Sequence, residues 1–355
     1  MLDGVGPITA KNLVAYCGSV ASIFEDKDLR KVLEKTPRAG KKVLKAIQDP
    51  TLFDRVDKEL EFIAKRKIKP IFYLEDAYPL RLKQGEDSPI LVYLDGKVDL
   101  DAPKILSVVG TRKATDHGKM ICEKIIAELA PHQPLIVSGL AYGIDICAHR
   151  AALHNNLATV AVVAHGLDRL YPGEHASVAR EMTANGGILT DKESSSKFVP
   201  GNFPSRNRIV AGLADAILVI ESAKGGGSLI TADIANSYSR DVLAVPGRPG
   251  DKYSEGCNRL IKANKAAMVT SAADIEYVLG WQKEEKKIVQ TRIWVDLPPD
   301  KQQLVDIIKE KGRAEIDELS SKAGMPIGKT ASLLLDMEFN GVVRSLPGKV
   351  YTLHN

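Results

Sequence analysis

The chain has 355 residues, enough for two or three domains, with 44% hydrophobic and 26% charged residues, as in an ordinary globular protein. No run approaches the roughly 20 apolar residues of a membrane span, and the opening MLDGVGPITAKN lacks the basic-then-apolar layout of a signal peptide, so a soluble, cytoplasmic protein is expected. The net charge of +4 is mild, so any nucleic-acid affinity must come from a local patch and not from the global field.

Residues 1–50 read as a small helical unit. Its start, Leu2-Asp3-Gly4-Val5-Gly6-Pro7-Ile8, has the hydrophobic-Gly-hydrophobic-Gly pattern of a helix-hairpin-helix turn, whose glycines expose N–H groups to phosphate. A tight inter-helix turn that touches nothing fits the same residues. Residues 51–103 combine a Lys-rich helix with short apolar runs at Ile71 to Leu74 and Ile90 to Leu94, expected as edge strands or a bridging segment. From 104 to 281 apolar runs at 105–109, 135–137, 159–164, 187–190, 216–220, 242–245 and 267–269 alternate with helical pattern. That alternation predicts an α/β fold, a doubly wound, mainly parallel sheet; nearly continuous Val, Ile, Leu and Ala predict strands buried on both faces. A charged linker is expected over 282–299 and a winged helix over 300–355. That last segment carries eight basic and eight acidic residues, and its presumptive recognition helix holds only Lys329 against Asp336 and Glu338. Such a helix is poorly provided for a phosphate-lined groove, which favours protein contact over independent DNA binding.

Three segments carry the chemistry: Val109-Gly110-Thr111-Arg112, Phe203 to Arg208 (FPSRNR) and Glu221 to Thr231 (ESAKGGGSLIT). The first and third follow strand-like runs and open helices, the edge of a parallel sheet where ligands bind. Glycines there let backbone approach a ligand, and helix N-termini point N–H groups at an anion. Arg112, Arg206, Arg208 and Lys224 add positive charge, and the arginine fork suits phosphate oxygens, so the expected ligand is phosphorylated and polymeric. Base stacking is limited by the 5% aromatic share, with Tyr142, Phe203 and Tyr253 as candidates.

Catalytic alternatives find little support. GTRKATDHGK over 110–119 breaks the P-loop spacing, because Lys113 stands where the first glycine of G-x-x-x-x-G-K-[ST] should be and Met120 follows the lysine. Gly225-Gly226-Gly227-Ser228 lacks the third spaced glycine of a dinucleotide fingerprint, and no G-x-S-x-G elbow occurs. Ser138 and Asp145 flank an enzyme-like turn, SGLAYGID, but no paired base has an obvious spacing to them. Four singly placed cysteines and His149 and His154, five apart, predict neither a disulfide framework nor a metal site, and no cofactor is expected.

In order, VVGTRKAT, SGLAYGID, FPSRNRIVAGLAD, ESAKGGGSLITA and PGRPGDKYSEGCNRLIKAN resemble the DNA processing protein A family, DprA or Smf, over about 104–275. The resemblance implies an extended Rossmann-like core that binds single-stranded DNA, forms homodimers and loads RecA during natural transformation, without catalysis. Matched motif by motif, it assigns nucleic-acid binding to Gly110, Thr111, Arg112, Ser138, Gly139, Arg206, Asn207, Arg208, Lys224, Gly225, Gly226 and Ser228, with Asn258 and Lys262 as supporting contacts. Asn264-Lys265-Ala266 stands where the family usually has Gly-Ala. The rival reading is a nucleotide-acting enzyme similar to the phosphoribohydrolases, whose P-G-G-x-G-T loop has a glutamate close by; here no acid follows the loop until Asp233. A third reading is an assembly scaffold whose main ligand is protein.

Overall fold

The computed structural model describes residues 2, 4–25, 28, 31–33, 39–281, 297–346 and 348–353; most of the expected linker, 282–296, lies outside them. The chain divides into two compact units, Met1–Gln282 and Lys283–Asn355.

The first unit is organised by a nine-stranded sheet. Its strands are β1 (Lys69–Phe72), β2 (Leu91–Gly96), β3 (Ile105–Val109), β4 (Leu135–Ser138), β5 (Thr159–Val162), β6 (Gly186–Thr190), β7 (Ala216–Val219), β8 (Asp241–Ala244) and β9 (Ala267–Met268), in the order β1-β2-β6-β5-β4-β3-β7-β8-β9. Seven of the strands, β3 to β9, pair in parallel, while β2 runs antiparallel to β6 and β1 antiparallel to β2. The order reverses between β3 and β7, the switch point of a doubly wound sheet. The expected runs become strands for a simple reason: alternate residues face opposite sides and both sides are apolar. Ile105 and Val109 of β3 join one core with Val137, Val162 and Val219, while Leu106 and Val108 join the other with Ile136 and Leu218. The short runs near 71 and 90 extend this sheet; β1 is its edge and β2 lies inside.

The N-terminal helices include Pro7–Cys17 and Ala39–Ile47. Leu13, Val14, Val43 and Ile47 share a small core against which Tyr73 packs. Lys11 donates to Ser88 Oγ (2.6 Å) and the Glu86 carbonyl (3.2 Å), so the one lysine of the hairpin segment is turned to protein. Gly4 has φ +76°, the left-handed turn the hairpin pattern requires.

The second unit has helices Pro299–Lys311, Ile316–Ala323 and Ile327–Phe339, followed by a hairpin of β11 (Val343–Leu346) and β12 (Val350–Leu353) that also pairs with β10 (Ala314–Glu315). Leu304, Ile308, Leu319, Leu334, Met337 and Val343 form its core, giving the winged helix expected from the sequence.

Candidate nucleic-acid interface

Every parallel strand ends on one edge of the main sheet, and the turns there interlock. Gly110 follows β3 where a Cβ would sit 2.5 Å from the Ile144 side chain, so only glycine fits. Thr111 donates its N–H to the Glu221 carbonyl (2.8 Å) and accepts from the Ile144 N–H (3.2 Å). Gly143, at φ +79°, packs so closely that a Cβ would lie 2.2 Å from the Thr111 carbonyl oxygen. These contacts hold the Gly110-Thr111-Arg112 turn rigid and leave Arg112 exposed. Its guanidinium lies 5.3 Å from the centroid of the Phe203 ring, within cation–π range. Among the described residues no carboxylate pairs with Arg112.

Arg112 stands at a concave pocket with Tyr142, His165, Tyr171 and Phe203 on its walls and Arg206 at its base. Tyr171 and Phe198 are 46% and 40% exposed, large fractions for rings that also pack on each other. Tyr171 meets Phe198 at 5.0 Å between centroids, and Phe198 meets Phe203 edge-on at 5.6 Å. Tyr142, also exposed, donates its hydroxyl to Glu174 Oε2 (2.6 Å), which raises the phenol's pKa and lowers the carboxyl's. His165 donates from Nδ1 to the Gly166 carbonyl (2.9 Å) and accepts the Tyr171 N–H at Nε2 (3.2 Å); burial lowers its pKa and keeps the ring neutral. A wall of ring faces and edges beside an unpaired cation can take a flat, apolar-faced group next to an anion.

The sequence anticipated part of this wall. Phe203 and Tyr142 are in place, whereas Tyr253 lies outside the pocket, with Lys252 5.9 Å from its ring. Tyr171 and Phe198 were missed. Each stands in a loop after a strand, beside Pro172 or just before Pro200, and only the sheet topology brings those loops to one place.

The predicted arginines separate. Residues two apart on a helix point about 200° away from each other, and Arg206 and Arg208 lie on the helix Asn202–Leu213. Arg206 is buried under the pocket and donates from Nη1 to the Val162 carbonyl (2.6 Å). A Cβ on Gly139 would lie 2.2 Å from Asp145 Oδ2 and 2.4 Å from Arg206 Nη1, so the bare glycine lets these two charges face each other beneath the turn. Burial raises the Asp145 pKa, opposed by the Arg206 charge, and burial likewise lowers that of Arg206. Arg206 Nε has no hydrogen-bond partner. Arg208 faces elsewhere: Nη2 pairs with Asp191 Oδ2 at 2.7 Å with both side chains mostly buried, and Nε donates to the Ser205 carbonyl (3.1 Å). The expected grip of both arginines on successive phosphates is therefore corrected: Arg208 is spent on the fold and Arg206 is a buried floor. Asn207 is half-buried between them.

Ser138 is buried, its hydroxyl donated to the Val108 carbonyl (2.6 Å), which makes it a sheet contact. A second correction concerns the helix Asp116–Leu129. Its start does not face an outside anion, because Glu221 occupies it, accepting the Thr115 N–H (2.9 Å) and hydroxyl (2.5 Å), with Gly118 leaving room for the carboxylate. The helix Gly227–Ser237 differs: Gly226 at its N-cap offers no side-chain cap, no acid lies in its first turn, and Lys224 and Gly225 are exposed beside it. Ser228 is turned inward, donating to Ser222 Oγ (2.8 Å). Asn258 holds the next loop by pairing with both the N–H (3.1 Å) and the carbonyl (2.9 Å) of Gly247, and Lys262 is exposed one turn further on. Asn264, where the family motif has glycine, adopts φ +53°, so asparagine keeps the left-handed turn.

The structure thus groups Arg112, Tyr142, Tyr171 and Phe203 at one pocket, with Phe198 packed on Tyr171 and Phe203, and leaves Lys224 to Ser228 at the neighbouring strand end. Comparison with known proteins gives the family. A family model for DNA recombination-mediator protein A matches residues 69–280, and one for the DprA winged helix domain matches 295–349. Protein Smf of Synechocystis sp. is 31% identical over 391 aligned positions, covering 99% of this chain and 96% of that protein. DNA processing protein DprA of Streptococcus pneumoniae is 38% identical over 211 residues, 59% of this chain and 74% of its relative, and the X-ray structure of DprA from that organism superposes with TM-score 0.67 at 31% identity over 78% of this chain and 94% of that one. A structure of DNA processing protein A from Helicobacter pylori, described for its single-stranded DNA binding mode, gives TM-score 0.55 at 28% identity over 61% of this chain and 96% of that one. On motifs, sheet order and relatives alike, the chain belongs to the DprA/Smf family of DNA recombination mediators.

Proposed function

We propose that the pocket holds single-stranded DNA and that the chain, as a homodimer in the cytoplasm, protects an incoming strand and loads RecA onto it during natural transformation. The observation that carries this reading is the wall of exposed Tyr142, Tyr171 and Phe198 and half-buried Phe203 beside Arg112, which makes no salt bridge among the described residues. Aromatic rings stack on any base, so binding is sequence-tolerant. In a duplex the base faces are already stacked on each other, so only a single strand can offer them. Arg112 takes a phosphate, Lys224 and the uncapped start of Gly227–Ser237 take another, and Asn258 keeps the adjoining loop in shape. Arg206 adds positive potential from below without direct contact. The recombination-mediator family and the Helicobacter pylori relative's single-strand binding support the ligand; the RecA role rests on the family alone.

The phosphoribohydrolase-like alternative needs a free carboxylate at the Gly-rich loop. Glu221 is the acid beside that loop, and it is buried in hydrogen bonds to Thr115. Ser138 is likewise bonded to backbone, and Asp145 lies buried under the turn, which favours binding over catalysis at this edge.

Fluorescence anisotropy across a salt series, comparing a single-stranded oligomer, its duplex and a mononucleotide, tests the proposal. Selective single-strand binding is expected, weakened by about 1–3 kcal/mol in Arg112→Ala with a salt slope shallower by about 1. Mononucleotide binding without oligomer binding would sink it.

A further inference from the structure

We infer that the third helix of the winged-helix unit, Ile327–Phe339, is a self-association face that pairs antiparallel with the same helix of a second copy of this chain. Thr330, Leu334 and Met337 turn inward to the unit's core. Gly328, Ser332, Leu335 and Phe339 follow the four-three-four spacing of a single helix face, and that face is outward, with Leu335 54% and Phe339 85% exposed. Such exposure of a Phe on a helix is a cost in water that calls for a cover.

DNA is a poor cover. Lys329 is the sole base of this helix, and it is paired with Asp300 at 2.6 Å, while Asp336 is paired with Lys301 and Glu338 adds a further negative charge. A second copy fits better because the face is complementary to itself. Its N-terminal half is small (Gly328, Ser332) and its C-terminal half is large (Leu335, Phe339). A two-fold axis crossing the helix midway between Ser332 and Leu335 sets Phe339 over Gly328 of the second copy and Leu335 over its Ser332. Open space surrounds the position where a Gly328 Cβ would stand, which leaves room for that ring. The same axis brings Lys329 on one flank toward Asp336 of the second copy, so charge and shape agree in the antiparallel sense; a parallel pair would set Phe339 on Phe339 and Lys329 near Lys329. A helix of 13 residues is only about 20 Å long, so the contact is a weak one that acts between copies already held close.

Sedimentation velocity of the full-length chain over a wide concentration series tests this without reference to DNA. Phe339→Glu changes an exposed residue, and unchanged circular dichroism and Tm would show that it folds. The expected result is self-association weakened about tenfold in Phe339→Glu. Lys329→Glu and Asp336→Lys singly weaken it too, and the double variant restores it. That rescue is decisive because the double variant loses both internal pairs, to Asp300 and Lys301, and regains only the pair between copies. Identical sedimentation of wild type and Phe339→Glu, absence of self-association in the wild type, or a double variant no better than the singles would overturn the inference. So would Phe339→Glu weakening duplex binding while sedimentation stays the same, which would give the face to DNA.

Discussion

Arg112 and Arg208 look equivalent as residues in motifs and differ in their partners. Arg112 makes no salt bridge among the described residues, feeling the buried Asp145 charge, and stands over Phe203; Arg208 closes a buried pair with Asp191. Arg208→Ala leaves the buried Asp191 carboxylate with Lys192 (3.3 Å) as its remaining cation, so it is expected to lower stability by about 1–3 kcal/mol in urea unfolding. The fraction that remains folded should bind a single-stranded oligomer as wild type does; a loss of affinity without loss of stability would return Arg208 to the binding surface. Tyr171→Ala and Phe198→Ala are expected to do the reverse, weakening oligomer binding by about 1–3 kcal/mol with a small change in Tm. The arginine-rich motif was legible as basic, but which way each arginine points was not. On a helix, adjacent alternate positions diverge, and a residue string cannot show that until the helix boundary is known.

Among elements, the parallel strands were legible because each is apolar on both faces, a pattern independent of distant partners. The place of β1 and β2 was not, since an antiparallel addition to β6 depends on a strand nearly a hundred residues later in sequence. The helix Ile144–His154 carries a consequence that only its packing reveals. His149 is fully buried, with Nε2 2.7 Å from the Gly139 carbonyl and Nδ1 2.7 Å from the Thr159 hydroxyl. Burial pushes its pKa from 6.5 down to about 4, so the folded unit keeps the ring neutral while the unfolded chain protonates it. With the folded pKa below the unfolded one, stability is complete above pH 6.5 and falls as pH drops toward 4, by on the order of 3 kcal/mol. His165, lowered in the same direction, adds to the slope. Urea midpoints between these pH values should therefore decline in wild type and decline less in His149→Gln, whose amide can still donate to Gly139. Equal slopes would show that His149 does not carry this dependence.

At the scale of the molecule, the aromatic pocket and the Gly-rich helix start both belong to the unit Met1–Gln282, while the winged-helix unit has its own core and a balanced charge. A chain ending at 282 is accordingly expected to bind a short single-stranded oligomer with nearly full-length affinity; a loss of more than about tenfold would place part of the site in the second unit. The fold classes, a doubly wound sheet and a winged helix, were legible from periodicity, whereas the helical segment 1–50, expected as a separate domain, falls within the first compact unit. The pocket itself was only half legible, because Tyr171 follows β5 while Phe198 and Phe203 follow β6, and only the sheet brings the two segments together. The most direct test of the account is photo-crosslinking of a single-stranded oligomer to the full-length chain, with the attachment sites mapped by mass spectrometry. Crosslinks are expected at Tyr142, Tyr171, Phe198 and Phe203, and they should fade in Arg112→Ala. Crosslinks confined to residues 1–50 or to the winged-helix unit, with none at these rings, would contradict it.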